Sequence, residues 1–463
     1  MAEPKTSSQD SPRLLDPLFT EDRMRSLFSD RNRLQAMLGF EAALARAEAR
    51  ADVIPGSAVP AIRSQCHAEL FDFEKLGREA ALAGNLAIPM VRQLTALVAQ
   101  SDREASRFVH WGATSQDAID TGLILQLRDG LGLIEMDLDA VARELARLAR
   151  AHKHTLMPGR TWLQQALPVT FGLKAAGWFS AIERHQARIR EIRPRVLAVQ
   201  FGGAAGTQAA LGAKGLQVAE ALGEELRLHV PALPWHTHRD RVAEVGTTLG
   251  LLVGTLGKIA RDVSLLMQTE VGEALEPAAS GRGGSSTMPQ KRNPVGSAVM
   301  LAAAIRVPAL VSTLLAAMVQ EHERSLGNWL AEWETLPEIC TLSAGALAHL
   351  KHILAGLKID EARMAGNLEL TQGQIMAESV MMALGGRLGR LEAYDLVERA
   401  CLEASRRGRH LRDVLMDDPK VREHLRADDL DRLFNPSNYL GAAEALVDRA
   451  LEGESKDSHA HAK

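Results

Sequence analysis

Cysteine is scarce in this chain. Its three copies, Cys66, Cys340 and Cys401, lie far apart and form no CxxC pair. That argues against a disulfide scaffold and the common zinc spacings, and it fits a reducing, cytoplasmic setting. Aromatic residues make up only 4% of the 463, with two tyrosines. Ala and Leu abound instead, a vocabulary of helices rather than strands. Neither sign of charge prevails: 54 Lys and Arg face 58 Asp and Glu, for a net charge of -4. Such a balance predicts no broad binding to nucleic acid or to an acidic membrane surface. An anionic ligand would need locally placed Arg and Lys. The N-terminal stretch MAEPKTSSQDSPR has no apolar signal core. The most apolar stretch, 301–319, is interrupted by Arg306 and Pro308, so it is expected to be a buried bundle helix rather than a membrane span. No period-2 run of useful length announces a strand.

What is present is helical periodicity. Leu138, Val141, Leu145 and Leu148 recur at spacings of three and four with charged residues between them. Segments 168–193, 240–270, 296–320 and 329–356 are further long candidates. The segment 240–270 carries Gly246, Gly250, Gly254 and Gly257, a column that costs helix stability but lets another helix come close. Five long helices with few strands predict an all-α elongated bundle. Shorter helical pieces are expected before and after it. The chain therefore reads as a cap (1–111), a central bundle (112–363) and a small helical end domain (364–463). Helices of about 30 residues reach about 45 Å. Their apolar faces exceed what one chain can cover, so an oligomer is expected.

One loop stands out among these helices: GGSSTMPQKRNPVGS, 283–297. Gly283 and Gly284 permit close approach of a ligand to the backbone. Asn293 followed by Pro294 reads as an N-cap and first helical residue, and a helix start presents free N–H groups to an anion. Lys291 and Asn293 add side-chain donors. The loop suits a carboxylate, or the doubly charged aci-carboxylate formed when its α-carbon loses a proton. A serine in that field can act as a proton carrier. Elsewhere, Thr114-x-x-Asp117 resembles a capping box. FGGAAGT (201–207) lacks the P-loop lysine. In WHTHRDRV (235–242), His236 and His238 lack a carboxylate framework for a metal, Arg239 is a possible source of positive charge, and Asp240 is expected to cap the following helix.

The segment GSSTMPQKRNP (284–294) resembles the signature G-S-S-x-M-P-x-K-x-N-P of the fumarase/aspartase superfamily, and HWGATSQDAIDT (110–121) and GRTWLQQALPVT (159–170) resemble its other two blocks. The resemblance spans nearly the whole chain. It implies a homotetramer with a twenty-helix core, active sites shared between subunits, no cofactor and no metal. It also implies Ser285 as the proton carrier, with Ser286 the competitor, beside Lys291, Asn293 and Met288. Thr114, Ser115 and Gln116 would bind substrate carboxylates, and His110 matches a histidine of the adenylosuccinate lyase branch.

The second block departs from the pattern. Where most members have T-H-x-Q, this chain has Trp162 before Gln164, and an indole cannot shuttle a proton. One branch shares that tryptophan; its members close a lactone on a small tricarboxylate. There the substrate's own tethered carboxylate is the nucleophile, so no base is required and proximity lowers the barrier. Arg324 would hold a carboxylate bidentately, the bland alternative being a surface ion pair. Trp329 and Trp333 stand where the adenylosuccinate lyase branch keeps phosphate-binding groups. That branch, and a catalytically silent homologue, are the alternatives.

Overall fold

A computed structural model describes residues 13–460 except 279, 280, 282 and 286, and for 453–460 the backbone alone. The chain is mostly helical. Among the described residues six helices exceed twenty residues: α1 (Asp30–Arg50), α2 (Ser115–Ala151), α3 (Phe171–Val196), α4 (Asp240–Leu266), α5 (Val295–Ala317) and α6 (Asn328–Gly356). The five expected long helices are all there. In α2 the stripe runs further than the expected segment: Leu127, Leu131, Ile134, Leu138, Val141, Leu145 and Leu148 are all buried. At 37 residues it is about 55 Å long.

Within 1–111 the longest helix, α1, has 21 residues, fewer than any of the other five, and is opened by Ser29, whose Oγ accepts the Asn32 N–H at 3.3 Å. Its stripe is hard to read because Glu41 and Glu48 occupy buried positions. Strand pairing corrects the expectation that no run of useful length forms a strand. Residues β1 (Leu156–Thr161) and β2 (Gln164–Thr170) form an antiparallel hairpin, from Leu156 opposite Thr170 to Thr161 opposite Gln164. The register shifts between Pro158 and Arg160. A side chain at Gly159 there would meet the Leu167 carbonyl at 2.8 Å, so the irregularity requires glycine. Helix α3 begins three residues after the expected point because residues to Thr170 belong to β2. A second small pair joins β3 (Ala274–Leu275) to β4 (Lys358–Ile359).

The chain divides into two compact units. The first takes residues up to Asp139, His185–Gly257 and Val299–His349. Its core includes Met37, Phe40, Leu249, Leu256, Leu314 and Ile339. The glycine column acts as expected at three of its four positions. A Cβ at Gly246 would lie 2.4 Å from Leu314 Cδ1, at Gly250 3.1 Å from Val311 Cγ2 and at Gly257 2.6 Å from Ala304 Cβ, while Gly254 faces open space. The second unit takes Ala140–Arg184, Lys258–Ala298 and the chain from Leu350 onward. Short helices over Ala377–Leu388, Arg390–Arg407, Leu411–Asp417, Pro419–His424 and Ala427–Leu433 enclose Val380, Leu396, Leu411, Leu415 and Leu430.

Candidate active site

The candidate residues fall into two groups, one in each unit. In the first unit, His110 and Gly112 adopt φ of +57° and +70° and turn the chain into α2. Gly203, at φ +68°, faces the Gly112 carbonyl, 3.0 Å from where a Cβ would stand. These glycines let residues 110–114 and 201–207 pack backbone to backbone. The glycine-rich segment then has a definite task. The N–H groups of Gly202 and Gly203 donate to the two oxygens of Asp117 at 3.0 and 2.9 Å. Gln200 Nε2 (3.1 Å), His236 Nε2 (3.0 Å) and the Thr114 N–H (3.0 Å) complete five donors to one buried carboxylate. Asp117 thus holds the Thr114 N–H at the start of α2, as in a capping box, and is also the node that fixes three segments. His236 is committed to Asp117 rather than to a metal pair with His238.

One helical turn on, Asp120 is buried beside Arg239, with Nη1–Oδ2 at 2.7 Å and Nη2–Oδ1 at 3.1 Å. Glu332 grips the other side of the same guanidinium, at 3.0 Å from Nε and 2.5 Å from Nη2. Trp329 Nε1 donates to Asp120 Oδ1 at 3.0 Å, and the Arg239 guanidinium lies 4.8 Å from the Trp235 ring centre. Burial would lower the Arg239 pKa, but the flanking carboxylates raise it; burial raises that of Glu332 against the pull of Arg239. Arg239 is therefore an internal cation, not a charge offered to a ligand, which corrects the sequence reading. Asp240 is the first residue of α4 rather than its cap.

Arg324 is different. Its Nε donates to Gln116 Oε1 at 3.2 Å, and its Nη2 donates to Thr114 Oγ1 at 3.0 Å and the Ala204 carbonyl at 3.2 Å. None of these acceptors is charged, and among the described residues no carboxylate pairs with Arg324. The surface ion pair considered for it is not formed. Gln116 is fully buried, with Nε2 donating to Asp120 Oδ2 (3.0 Å) and the His236 carbonyl (2.8 Å). Its expected direct hold on a carboxylate is therefore corrected, because both ends of the amide are already engaged. Ser115 opens α2 and is half-buried. His110 Nδ1 lies 2.6 Å from Glu41 Oε1. Burial alone would lower the His110 pKa; the charge and hydrogen bond of Glu41, helped by Asp117, raise it overall.

In the second unit the loop 283–297 turns at Gly283, φ +71°, where a Cβ would meet the Asn293 carbonyl at 2.8 Å. The Asn293 N–H donates to the Gly283 carbonyl at 2.8 Å, and its Nδ2 to that of Gly284 at 3.4 Å. Ser285 Oγ accepts the Met288 N–H at 3.1 Å and the Thr287 N–H at 3.4 Å. Met288 and Lys291 are exposed, and Ser286 lies outside the described residues. Helix α5 starts at Val295, one residue after the expected position. Its free N–H groups are also not available as expected. Glu276, buried, accepts the N–H of Gly296 (3.0 Å), the N–H of Ser297 (2.8 Å) and the Ser297 hydroxyl (2.7 Å). The helix end already holds a carboxylate, the chain's own.

Trp162 and Leu163 make the two-residue turn of the hairpin, at φ +51° and +62°. Trp162 is 98% exposed, and Gln164 beside it is exposed too. The hairpin's base is fixed by Arg160, whose Nη1 and Nη2 lie 2.8 and 2.6 Å from the buried Glu273 carboxylate; Asn367 Nδ2 donates to the same group at 2.7 Å. Sequence reading missed Asp117 as a node, Asp120, Gln200, Glu332 and the Arg160–Glu273 pair. The available signal was Asp117 and Asp120, two charges on the buried stripe of a helix.

The family described as "Lyase" matches residues 19–309, and the one described as "Adenylosuccinate lyase C-terminus" matches 373–450. A 3-carboxy-cis,cis-muconate cycloisomerase of Pseudomonas aeruginosa is 58% identical over 438 residues, covering 95% of each chain. One from Bradyrhizobium diazoefficiens is 52% identical, covering 96% of this chain and 98% of its own. The crystal structure of the 3-carboxy-cis,cis-muconate lactonizing enzyme from Pseudomonas putida superimposes with a TM-score of 0.92 at 54% identity, covering 96% of this chain and 99% of its own.

Proposed function

We propose that this chain, which belongs to the fumarase/aspartase superfamily, is a 3-carboxy-cis,cis-muconate cycloisomerase that forms 4-carboxymuconolactone in protocatechuate breakdown. The observation that carries this reading is the end-to-end likeness to proteins of that name, at 58% identity with 95% of both chains covered. In the reaction a carboxylate of the substrate adds to the alkene carbon β to a second carboxyl group. The electron pair moves through the α-carbon into that carboxyl group as an aci-carboxylate, and a proton delivered to the α-carbon restores it. The attacking group is already ionised and tethered, so one acid suffices. Trp162, in place of the usual histidine, suits that economy of proton carriers.

Ser285 is the proton carrier in this proposal. Two backbone N–H groups converge on its oxygen, and such donors favour the oxyanion from which the proton has left. Lys291 and Asn293 would hold the aci-carboxylate. Arg324, with Thr114 beside it, would hold another of the three carboxylates. An unpaired buried charge costs several kcal/mol, so a trianion requires cations that the protein has not already neutralised. The working form is a cytoplasmic homotetramer with sites shared between subunits. The exposed apolar surface of α5 supports the oligomer, with Ile305 77% exposed. An adenylosuccinate-lyase-like activity is disfavoured by Trp333, which stands where a phosphate-binding arginine would be needed.

The test is to mix purified protein with 3-carboxy-cis,cis-muconate and follow its ultraviolet absorbance. We expect the absorbance to fall without fumarate appearing, and Ser285→Ala to reduce kcat by at least about a thousandfold while the oligomer persists. Fumarate release from adenylosuccinate would establish the rival activity, and near-normal kcat in Ser285→Ala would remove the serine from its role.

A further inference from the structure

We propose that Gln116 is a positioning residue that aims Arg324 while leaving its charge intact; this rests on the reading of Arg324 as a substrate-carboxylate ligand. A cation on a protein surface ordinarily finds a carboxylate, and that partner fixes its geometry at the expense of its charge. Arg324 is held instead by three neutral oxygens: Gln116 Oε1, Thr114 Oγ1 and the Ala204 carbonyl. They engage Nε and Nη2. Nη1 has no partner among the described residues, and the full positive charge remains available to an anion.

The amide of Gln116 has no freedom to choose its orientation. Its Nε2 end faces two acceptors, Asp120 Oδ2 and the His236 carbonyl, and its Oε1 end faces an arginine donor. A flipped amide would set oxygen against oxygen on one side and N–H against N–H on the other. Asp120 is itself immobilised by Arg239 and Trp329, and Arg239 by Glu332. The chain of contacts Glu332–Arg239–Asp120–Gln116–Arg324 alternates acceptor and donor throughout. It conveys the rigidity of a buried ion triad to a group that must meet substrate, through a neutral link that insulates Arg324 from direct pairing with Asp120. A glutamate at 116 would preserve the shape but neutralise the guanidinium. A methionine would preserve the volume but release it.

Three variants separate the inference from the reading on which it rests: Arg324→Ala, Gln116→Met and Gln116→Glu. KM and kcat for 3-carboxy-cis,cis-muconate are measured on each assembled oligomer, with its melting temperature. We expect Arg324→Ala to raise KM at least about a hundredfold, and Gln116→Met about tenfold with kcat within about threefold of wild type. Gln116→Glu should raise KM more than Gln116→Met, whichever of the two melts lower. A purely structural role would instead order the variants by melting temperature. Unchanged KM in both Gln116 variants, with Arg324→Ala impaired, would overturn the inference and leave Arg324 as a ligand. Unchanged KM in all three would overturn the reading itself. A crystal structure of the wild-type protein with a bound tricarboxylate tests the same point without substitutions. Gln116 Oε1 should stay on Arg324 Nε while the guanidinium meets a carboxylate, and a Gln116 turned away from Arg324 would refute the proposal.

Discussion

Glu48 has no partner for either carboxyl oxygen among the described residues, although it is fully buried. Burial, assisted by the charge of Glu41 two helical turns earlier on α1, raises its pKa to about 9. The folded chain therefore keeps a proton that the unfolded chain releases in the ordinary carboxylate range. The sign follows by linkage. Stability is full below the unfolded value near 4.5 and is lost as pH rises toward about 9, by at most about 1.4 kcal/mol per pH unit. Glu48→Gln, which cannot ionise, should melt a few degrees higher than wild type at pH 8 and coincide with it near pH 5. A melting-temperature difference independent of pH would count against the protonated carboxyl. Residues like this one mark the limit of sequence reading. Asp117 was legible as part of a capping box because its partner, Thr114, is three residues away. Its other donors come from Gln200, Gly202, Gly203 and His236, at separations that no local pattern encodes. Arg324 was legible as a cation, but that it has no carboxylate partner among the described residues is a fact of three dimensions.

Elements were legible where a repeat of three and four residues ran unbroken, as in α2 and α4, and illegible where the usual punctuation was missing. The β1–β2 hairpin is the clearest case. A two-residue turn with both residues at positive φ ordinarily uses Asn-Gly; here it is Trp162-Leu163, so the turn carries no sequence signal. Each such residue costs about 1–2 kcal/mol in that conformation, and strain of this kind is retained where function needs it. Replacing the pair by Asn-Gly should leave the hairpin at least as stable and yet raise KM for the muconate about tenfold or more, because Trp162, in the place of the family's usual histidine, would bind the substrate as an N–H donor and a flat apolar wall. Melting curves and initial rates on the double variant decide the matter: full activity would show that the tryptophan serves something other than the substrate. The start of α5 shows the opposite error. Asn293-Pro294 correctly announced a helix, but Glu276, from twenty residues upstream, already satisfies the N–H groups expected to attract a ligand.

At the scale of the whole molecule the question is what covers α5. Only 28% of its most apolar 18-residue window is buried, whereas the corresponding window of α4 is 61% buried. Length and composition alone would let both cross a membrane. The middle of α5, however, holds Arg306, paired with Glu338, and Pro308. An arginine at a bilayer centre costs about 2.5–3.5 kcal/mol even by insertion scales, with no lipid-facing gain to offset it here. An apolar face interrupted by one paired charge is what a helix shows when further copies of the same chain cover it. Exposed Ile305, Leu315 and Val319 would then lie in the interface, and Ile305→Glu would place an unpaired carboxylate there, at a cost of several kcal/mol. Sedimentation of that variant should give a smaller particle than wild type, and turnover of the muconate should fall at least about a hundredfold, because in the proposed assembly each site draws side chains from more than one copy. A variant that keeps the wild-type mass would show that α5 is not the interface. A dissociated variant with normal turnover would show instead that one chain holds a complete site, and the shared-site arrangement would have to be abandoned even though the reaction assigned to it stood.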